Sequence, residues 1–287
     1  MSAFNAPSTA EAFWPAGWMP IDFGTALRER VAALMSARAG GISLPPYASC
    51  NLGDHVLDDP EAVAHNRAVL ARLLGGSPVW LTQVHGNHVV RLTQAGLAGM
   101  LARQPQADGA ITTEPGLGCT VMVADCLPVL LAAPEGRGVG ALHAGWRGLA
   151  GAGEMGGQGI VHTGVQALCE ATSCDPADLR AWLGPCIGPS HFEVGADVLL
   201  GFGADPGDTR RSGVNAHFTP LPAVSAAQSA SPKWLADLPG LARDILASLG
   251  VNQVHGGEAC TVSDASRFFS FRRDRVTGRQ AASICLR

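Results

Sequence analysis

The stretch CTVMVADCLPVLLAA at residues 119–133 is almost entirely apolar, and a second apolar run, GVGALH, follows it at 138–143. Both runs are bounded by Pro and Gly, which is typical of buried β-strands. Asp125 is the only charged residue of the first run. Because a buried carboxylate needs a polar partner, this part of the chain predicts buried strands around an acid that either takes part in chemistry or holds a turn.

Helical patterns lie on both sides of these strands. Asp58-Asp59-Pro60-Glu61 places an Asp cap before a Pro at the first helical position, and Gly75-Gly76 ends that helix. Apolar residues at helical spacing predict further helices over 160–171 and within LARDILASLG at 241–250. Helices alternate with strands along the chain without a repeat, which predicts an α/β (α+β) fold.

Two β-hairpins are expected as well. VWLTQVH at 79–85 and HVVRL at 88–92 are separated by Gly86-Asn87, a good two-residue turn. The C-terminal RFFSFRRDRVTGRQAASICL at 267–286 predicts a second hairpin that turns near Thr277-Gly278.

Two segments are expected to be surface insertions. GLAGAGEMGGQG at 148–159 is too rich in glycine to pack well, and PLPAVSAAQSASP at 220–232 is an Ala/Ser/Pro loop. The first of them could act as a lid over the neighbouring residues.

The composition indicates a globular protein that does not bind nucleic acid. Of the 287 residues, 47 % are hydrophobic and 15 % are charged, and the net charge is −4 with Lys233 as the single lysine. Such a chain has enough apolar residues for a large core and lacks basic runs for a phosphate backbone. The absence of a signal-like or membrane-spanning stretch, together with eight scattered cysteines, predicts a soluble cytoplasmic protein with reduced thiols.

Three short segments carry metal-binding residue types beside tight turns. These are QVHG at 83–86, ADCLP at 124–128 and HAGWRG at 143–148, which contain His85, Cys126 and His143. Two imidazoles and a thiolate suit Zn²⁺, and three protein ligands leave the fourth tetrahedral position for water or substrate. The spacing alone also allows a small core cysteine and a histidine that caps a turn.

A resemblance to a known family favours the metal interpretation. The ordered motifs are NLGDHVLDDPEAVAHNR at 51–67, QVHG, ADG at 107–109, ADCLPVLL, HAGWRG, LGPCIG at 183–188, FEVG at 192–195, FFSFRRD at 268–274 and TGR at 277–279. In this order they resemble the YfiH/YlmD-like laccase-domain family, also called multicopper polyphenol oxidoreductases or peptidoglycan editing factors. The resemblance spans about 40–287 and leaves 1–39 as an N-terminal extension. It implies one unit over 1–287, mixed sheets flanked by helices, and zinc, or possibly copper, held by His85, Cys126 and His143.

The resemblance also implies purine nucleoside chemistry. The expected reactions are phosphorolysis of adenosine, inosine, guanosine and methylthioadenosine, and deamination of adenosine, for which zinc with an open position can activate water. Cys126, His143 and Asp125 are the expected catalytic residues, with Asp125 as a proton carrier or an orienting group. A structural turn or salt bridge is an equally good role for Asp125. A nucleoside and phosphate are the expected partners, and a unit of this size could act as a monomer.

Several residues are candidates for substrate binding. Arginine forks suit phosphate, and Arg67, Arg147 and Arg272 (or Arg273 beside it) lie in the matched motifs. Each could instead be an ordinary surface charge. Asn51 and Gln83 could donate hydrogen bonds to substrate, although Gln83 could also satisfy a buried carbonyl. The aromatic Trp146 and Phe269 could stack on a purine or belong to the core, Cys186 is expected to be a packing residue, and Cys260 is a weaker candidate for the rim of the cleft.

Three other functions stay open at this point. The first is a cysteine hydrolase in which His143 activates Cys126, and the editing name implies removal of L-Ser from a UDP-muramic acid precursor. The second is a copper polyphenol oxidase (laccase), which the nine histidines do not favour because they lack His-x-His pairs. The third is a non-enzymatic binding protein that zinc stabilises.

Overall fold

The computed structural model describes residues 14–208, 210–222 and 231–287, which form three β-sheets with helices packed around them. The strands are β1 (Met19–Pro20), β2 (Val31–Met35), β3 (Ser77–Val79), β4 (Val89–Arg91), β5 (Gly109–Thr112), β6 (Leu117–Val123), β7 (Leu127–Ala132), β8 (Val139–Ala144), β9 (Arg180–Leu183), β10 (Glu193–Val194), β11 (Phe218–Pro220), β12 (Trp234–Ala236), β13 (Gln253–Gly256) and β14 (Gln280–Leu286). The α-helices are α1 (Pro60–Leu74), α2 (Leu97–Ala102), α3 (Trp146–Ala150), α4 (Ile160–Thr172), α5 (Ala196–Gly201), α6 (Leu238–Ser248) and α7 (Phe271–Asp274).

The first sheet has the order β1-β2-β14-β6-β3. Its centre is β14, which is fully buried and pairs antiparallel with both β2 and β6. The predicted C-terminal hairpin is therefore wrong, because the partners of β14 come from distant parts of the chain and the preceding residues form the short helix α7. Of the N-terminal extension expected over 1–39, residues 1–13 lie outside the described residues, and β2 is a buried interior strand of this sheet.

The second sheet has the order β13-β9-β7-β8-β5-β4 and mixes parallel with antiparallel pairs. Together with the first sheet and the helices around them, it gives the mixed α+β architecture that the sequence predicted. A third sheet, β10-β12-β11, is small and antiparallel.

In the part of the chain that the structure describes, there are four crossings between the two larger sheets, and two of them position the site. β6 belongs to the first sheet and β7 to the second, so residues 124–126 form the corner between them. The segment from β3 to β4 makes the same change of sheet over residues 80–88. The hairpin predicted around Gly86-Asn87 is consequently wrong. Its two strands have similar local sequence signals but find their hydrogen-bond partners in different sheets.

The predicted helices are confirmed, and both ends of α1 lie where the sequence predicted them. The Asp59 carboxylate accepts a hydrogen bond from the Glu61 amide at the start of α1, and Gly75 ends that helix with a φ of 73° in the left-handed region. Helices α4 and α6 lie against the second sheet and bury one apolar face each. Leu142 on β8 and Leu168 on α4 are fully buried in this cluster.

The expected insertion over 148–159 is only partly at the surface. Gly148, Leu149 and Ala150 are buried within α3, and only the part around 152–158 is exposed or half-buried. Of the second expected insertion, Pro220 ends β11, and residues 223–230 lie outside the described residues. In the part of the chain that the structure describes, no helix is both long and apolar enough to span a membrane.

Candidate functional site

His85, Cys126 and His143 come together although they are far apart in the sequence. One ligand atom from each lies within 4.8 Å of the others. The Cys126 Sγ is 3.6 Å from the His85 Nε2, and the two imidazole rings meet edge to face with centroids 4.8 Å apart. The structure therefore forms the three-residue cluster that the motifs predicted.

The cluster forms because the two crossings between the sheets lie side by side. His85 belongs to the β3–β4 crossing, Cys126 lies in the β6–β7 corner, and His143 lies near the end of β8. Both crossings are sharp, as His85 and Asp125 have positive φ values of 61° and 94°. Such backbone conformations are uncommon for residues other than Gly and often occur at functional sites.

Gly145 provides the space in which two of these side chains meet. A Cβ atom at this position would lie 2.7 Å from the His85 Cδ2 and 3.0 Å from the Cys126 Sγ. The first distance is shorter than real Cβ contacts allow and the second is tighter than nine in ten of them, so a larger residue would displace the cluster. The first glycine of the HAGWRG motif is thus required by packing.

A carboxylate that the sequence analysis did not select, Asp108, organises the cluster. It is fully buried, and its Oδ1 lies 2.8 Å from the His143 Nδ1 and accepts a hydrogen bond of 2.9 Å from the His85 amide. Its Oδ2 accepts hydrogen bonds from the Val84 and Gly86 amides at 3.1 and 2.7 Å. Asp108 therefore fixes both the turn that carries one histidine and the ring of the other. The ADG motif contained this signal, but only the contacts show its role.

The local charges stabilise a thiolate beside an imidazolium. Burial alone would raise the pKa of the Cys126 thiol, but His143 and His85 more than compensate and lower it to about 6. Burial would likewise lower the pKa of His143, whereas Cys126 and Asp108 raise it to about 9. At neutral pH the thiol is therefore largely ionised, which is the form that binds a metal or acts as a nucleophile.

The donor set fits a metal ion. Bond lengths of about 2.0–2.3 Å place tetrahedral zinc ligands about 3.5 Å apart, close to the 3.6 Å between Cys126 and His85. The hydrogen bond to Asp108 occupies Nδ1 of His143, so its Nε2 is the atom left for coordination. A carboxylate on the second nitrogen of a histidine ligand is a common feature of metal sites. Two imidazoles and a thiolate suit either zinc or copper.

The cluster lines a cavity of about 850 Å³, a volume within the usual range for sites that bind small molecules. Aromatic and apolar side chains form part of its wall: Trp146, Ile187, Phe192, Leu238 and Phe271. Polar and charged side chains contribute the rest, including Asp54, His55, Gln104, Arg272, Arg275 and Arg279. The cavity thus combines a metal-binding group with surfaces for a planar ring and for an anion.

Three residues that were predicted to take part in catalysis or substrate binding line this cavity: Gln83, Asp125 and Arg272. Each of these side chains is held by hydrogen bonds within the protein. The Gln83 amide group pairs with the backbone N–H and C=O of Met122, both at 2.8 Å. The Asp125 carboxylate accepts hydrogen bonds of 2.6 Å from the Thr261 hydroxyl and from the Arg272 amide. The Arg272 guanidinium donates to the Glu193 carbonyl at 3.2 Å. These contacts position the cavity wall.

The other three predicted substrate residues do not line the cavity. Asn51 is fully buried, and its side chain bonds to the backbone of Gly53 and Arg279. The Arg67 guanidinium stacks on a neighbouring tryptophan ring and donates to the Leu52 carbonyl. Arg147 is exposed on α3 and lies over the ring of the preceding Trp146. The predictions for Asn51, Arg67 and Arg147 as direct contacts therefore differ from the geometry, because matching motifs also contain residues that support the fold.

The set of aromatic and arginine side chains that line the cavity also differs in part from the predicted set. Trp146 lines the cavity as expected, whereas Phe269 is fully buried in the core. Arg275 and Arg279 line the cavity, but the sequence analysis did not select them. The TGR motif contained a signal for Arg279. Arg275 has no comparable local signal and is identified only by its position in the cavity.

Comparisons with known proteins agree with this architecture. Residues 32–287 match the family model described as multi-copper polyphenol oxidoreductase laccase. An Escherichia coli K12 protein named purine nucleoside phosphorylase YfiH is 43 % identical over 258 residues, covering 89 % of this chain and 94 % of the relative. A Pseudomonas aeruginosa protein that is also named a purine nucleoside phosphorylase is 42 % identical, covering 90 % and 94 % of the two chains.

Solved structures show the same fold. A Neisseria meningitidis protein of the DUF152 family is 38 % identical and superposes with a TM-score of 0.77, covering 94 % of this chain and 99 % of its own. YlmD from Geobacillus stearothermophilus is 31 % identical with a TM-score of 0.74, covering 92 % and 94 %. The chain therefore belongs to the multi-copper polyphenol oxidoreductase laccase family, the YfiH/YlmD-like family that its motifs predicted.

Proposed function

We propose that this protein is a zinc-dependent purine nucleoside phosphorylase that acts on adenosine, inosine, guanosine and methylthioadenosine and also deaminates adenosine. The names of its relatives support phosphorolysis. The observation that carries the proposal is one cavity that joins the His85–Cys126–His143 group to three arginines. Among the described residues, no carboxylate lies within 4 Å of the guanidinium groups of Arg272, Arg275 or Arg279, in contrast to Arg67, which pairs with Asp54 at 3.2 Å.

The arginines supply the phosphate site in this proposal. In phosphorolysis, a phosphate oxygen forms a bond to the anomeric carbon while the bond from that carbon to the purine nitrogen breaks. Arg275 has Phe271 within 5.9 Å of its guanidinium and offers the freest fork, whereas Arg279 also donates to the carbonyls of Thr277 and Gly278. Guanidinium groups from more than one side hold the dianion in place for attack on the anomeric carbon.

The remaining cavity residues orient the nucleoside. Trp146 and Phe271 provide apolar faces on which a purine could stack. Asp125 acts as an orienting group, because both of its carboxylate oxygens already accept hydrogen bonds that fix the start of α7. Zinc, when bound by His85, Cys126 and His143, would supply Lewis-acid activation of a water oxygen for deamination.

Product analysis by liquid chromatography tests this function directly. The protein with added zinc should convert adenosine to adenine only when phosphate is present, and to inosine through deamination. Cys126→Ala should abolish both products while the fold is retained. Arg275→Met should raise the KM for phosphate about tenfold or more, whereas Arg147→Met is the matched control because Arg147 lies outside the cavity lining. Absence of both purine products above the Cys126→Ala background would refute the proposal.

A cysteine hydrolase is the second candidate, and one observation favours it. His143 and His85 together lower the pKa of the Cys126 thiol to about 6, as the activation of a nucleophile requires. This function predicts release of L-Ser from a UDP-muramic acid precursor and turnover that survives a chelator. Loss of turnover on chelation with recovery on zinc addition would exclude the free thiolate as the active form. For a laccase, the described part of the chain offers no second cluster of three His, Cys, Asp or Glu ligands.

A further inference from the structure

A second cysteine with polar neighbours lies outside the cavity lining. Cys260 follows β13 and pairs with Cys186 in an isolated parallel β-bridge. Its side chain is half-buried, whereas Cys186 is fully buried. Neither thiol is used in the proposed phosphorolysis.

The Cys260 sulfur is surrounded by groups that stabilise negative charge. The Gly188 amide donates to Sγ at 3.3 Å, and the His191 Nδ1 lies 3.7 Å away. The Ser263 hydroxyl is 3.4 Å from the same histidine nitrogen. Since His191 and Ser263 are exposed, a small solute can approach the sulfur from their side.

Gly188 is required for the close approach of this amide. A Cβ atom at this position would lie 3.1 Å from the Cys260 Cβ and 3.2 Å from its Sγ. These distances are tighter than nearly all real Cβ contacts, so a side chain at this position would push the sulfur away. The last glycine of LGPCIG therefore brings a backbone donor onto the thiol.

The acidity of the thiol agrees with this geometry. Burial would raise the pKa of Cys260, but hydrogen bonds from the Ser263 hydroxyl and from the Ser263, Gly188 and Val262 amides lower it overall. By contrast, burial and the neighbouring Cys174 raise the pKa of Cys169 to about 12, and burial raises that of Cys186 well above its usual value. Thiolate character together with access determines which cysteines react with oxidants.

We propose that Cys260, with His191, Ser263 and the Gly188 amide around it, is a redox modification site that reacts with small peroxides. The thiolate sulfur attacks one peroxide oxygen, so that an S–O bond forms and the O–O bond breaks. Sulfur is oxidised to sulfenic acid and the peroxide is reduced. With hydrogen peroxide, the leaving group is hydroxide, which departs into the solvent and is protonated to water by a buffer acid.

The test measures sulfenic acid formation residue by residue. The full-length protein with added zinc is treated with hydrogen peroxide and dimedone, a reagent that traps sulfenic acids, and fragment ions from mass spectrometry assign the label. Cys260 should be labelled at least about fivefold faster than Cys174, which is also half-buried. Any labelling of Cys126 is assigned to its own position and does not enter this comparison.

Variants separate the role of the neighbours from simple exposure. His191→Ala and Ser263→Ala should each slow the labelling of Cys260 several-fold with unchanged unfolding midpoints. His255→Ala is the matched control, because His255 is equally exposed on β13 and is not among the groups around this sulfur. Cys260→Ser should remove this label and leave the others. Equal labelling rates for Cys260 and Cys174, or unchanged rates in both neighbour variants, would overturn the proposal.

Discussion

Replacement of Asp108 by Asn tests whether a single buried carboxylate organises the metal-binding cluster. Asp108 accepts three backbone hydrogen bonds and contacts the His143 Nδ1 while fully buried. Asn has one acceptor oxygen instead of two. If that oxygen remains on the side of His143 and His85, the Val84 and Gly86 amides face an NH₂ group that also donates.

The magnitude follows from the two backbone donors that lose their shared acceptor oxygen. Each buried donor that loses its partner costs about 1–3 kcal/mol, so Asp108→Asn should reduce the free energy of unfolding of the metal-free protein by about 2–6 kcal/mol. Replacing the charged carboxylate that orients a histidine ligand by a neutral amide typically weakens metal binding about 10–100-fold. Both effects arise from the same side chain, so they should appear together.

The assay combines thermal unfolding with competition for zinc against a chromophoric chelator. Asp178→Asn is the matched control, because Asp178 is exposed in the short 3-10 helix before β9. The two variants should differ in both measurements. An unchanged unfolding midpoint and wild-type zinc affinity in Asp108→Asn would refute the assigned role.

The pH dependence gives an independent check on the same residue. Burial would raise the pKa of Asp108, but His143 and the turn amides lower it below its ordinary value of 3.8. The unfolded state therefore binds more protons in this range, and the stabilisation by Asp108 is present above pH 3.8 and lost as the pH falls through the lowered pKa. The acid limb of the stability curve should be shallower in Asp108→Asn than in the wild type.

Three further predictions follow from the packing and the site. Gly145→Ala should displace His85 and Cys126 and thereby weaken zinc binding at least about tenfold, as measured by chelator competition. The control Gly99→Ala should leave zinc binding unchanged, because a Cβ atom at that position would meet nothing within 4 Å. Iodoacetamide should alkylate Cys126 rapidly at pH 7 after chelation, because the pKa of this thiol is lowered to about 6. Alkylation should be slow with zinc bound, and equal rates in the two conditions would contradict metal ligation by Cys126. Leu168→Ala should lower the free energy of unfolding by about 2–5 kcal/mol in urea titrations, because Leu168 is fully buried. A loss below about 1 kcal/mol would contradict the assigned packing of Leu168.

Local sequence signals predicted the elements whose physics is local. The Asp59 cap and the terminal Gly75 of α1 act within a few residues of the backbone groups that they satisfy. The apolar spacing of α4 likewise follows from the period of the helix itself. These features could be read without knowing what packs against them.

Strand pairing could not be predicted in the same way. Residues 79–92 have strand-like sequence on both sides of a good turn, yet β3 and β4 pair in different sheets. Similarly, β14 at 280–286 lies between β2 at 31–35 and β6 at 117–123, both of which are distant from it in the sequence. The alternation of apolar and polar residues along a strand specifies which of its residues are buried, but it does not specify which other strand pairs with it.

By itself, the sequence determined the main helices, the buried character of the strands and, through ordered motifs, the choice of His85, Cys126 and His143 as candidate metal ligands. Only the tertiary structure decided that Asp108 holds this group in place and that Arg275 and Arg279 line the cavity instead of Arg67 and Arg147. The physical reason is the range of the interactions. Caps and helical periodicity act over a few residues, whereas a site between two sheets depends on where distant segments cross.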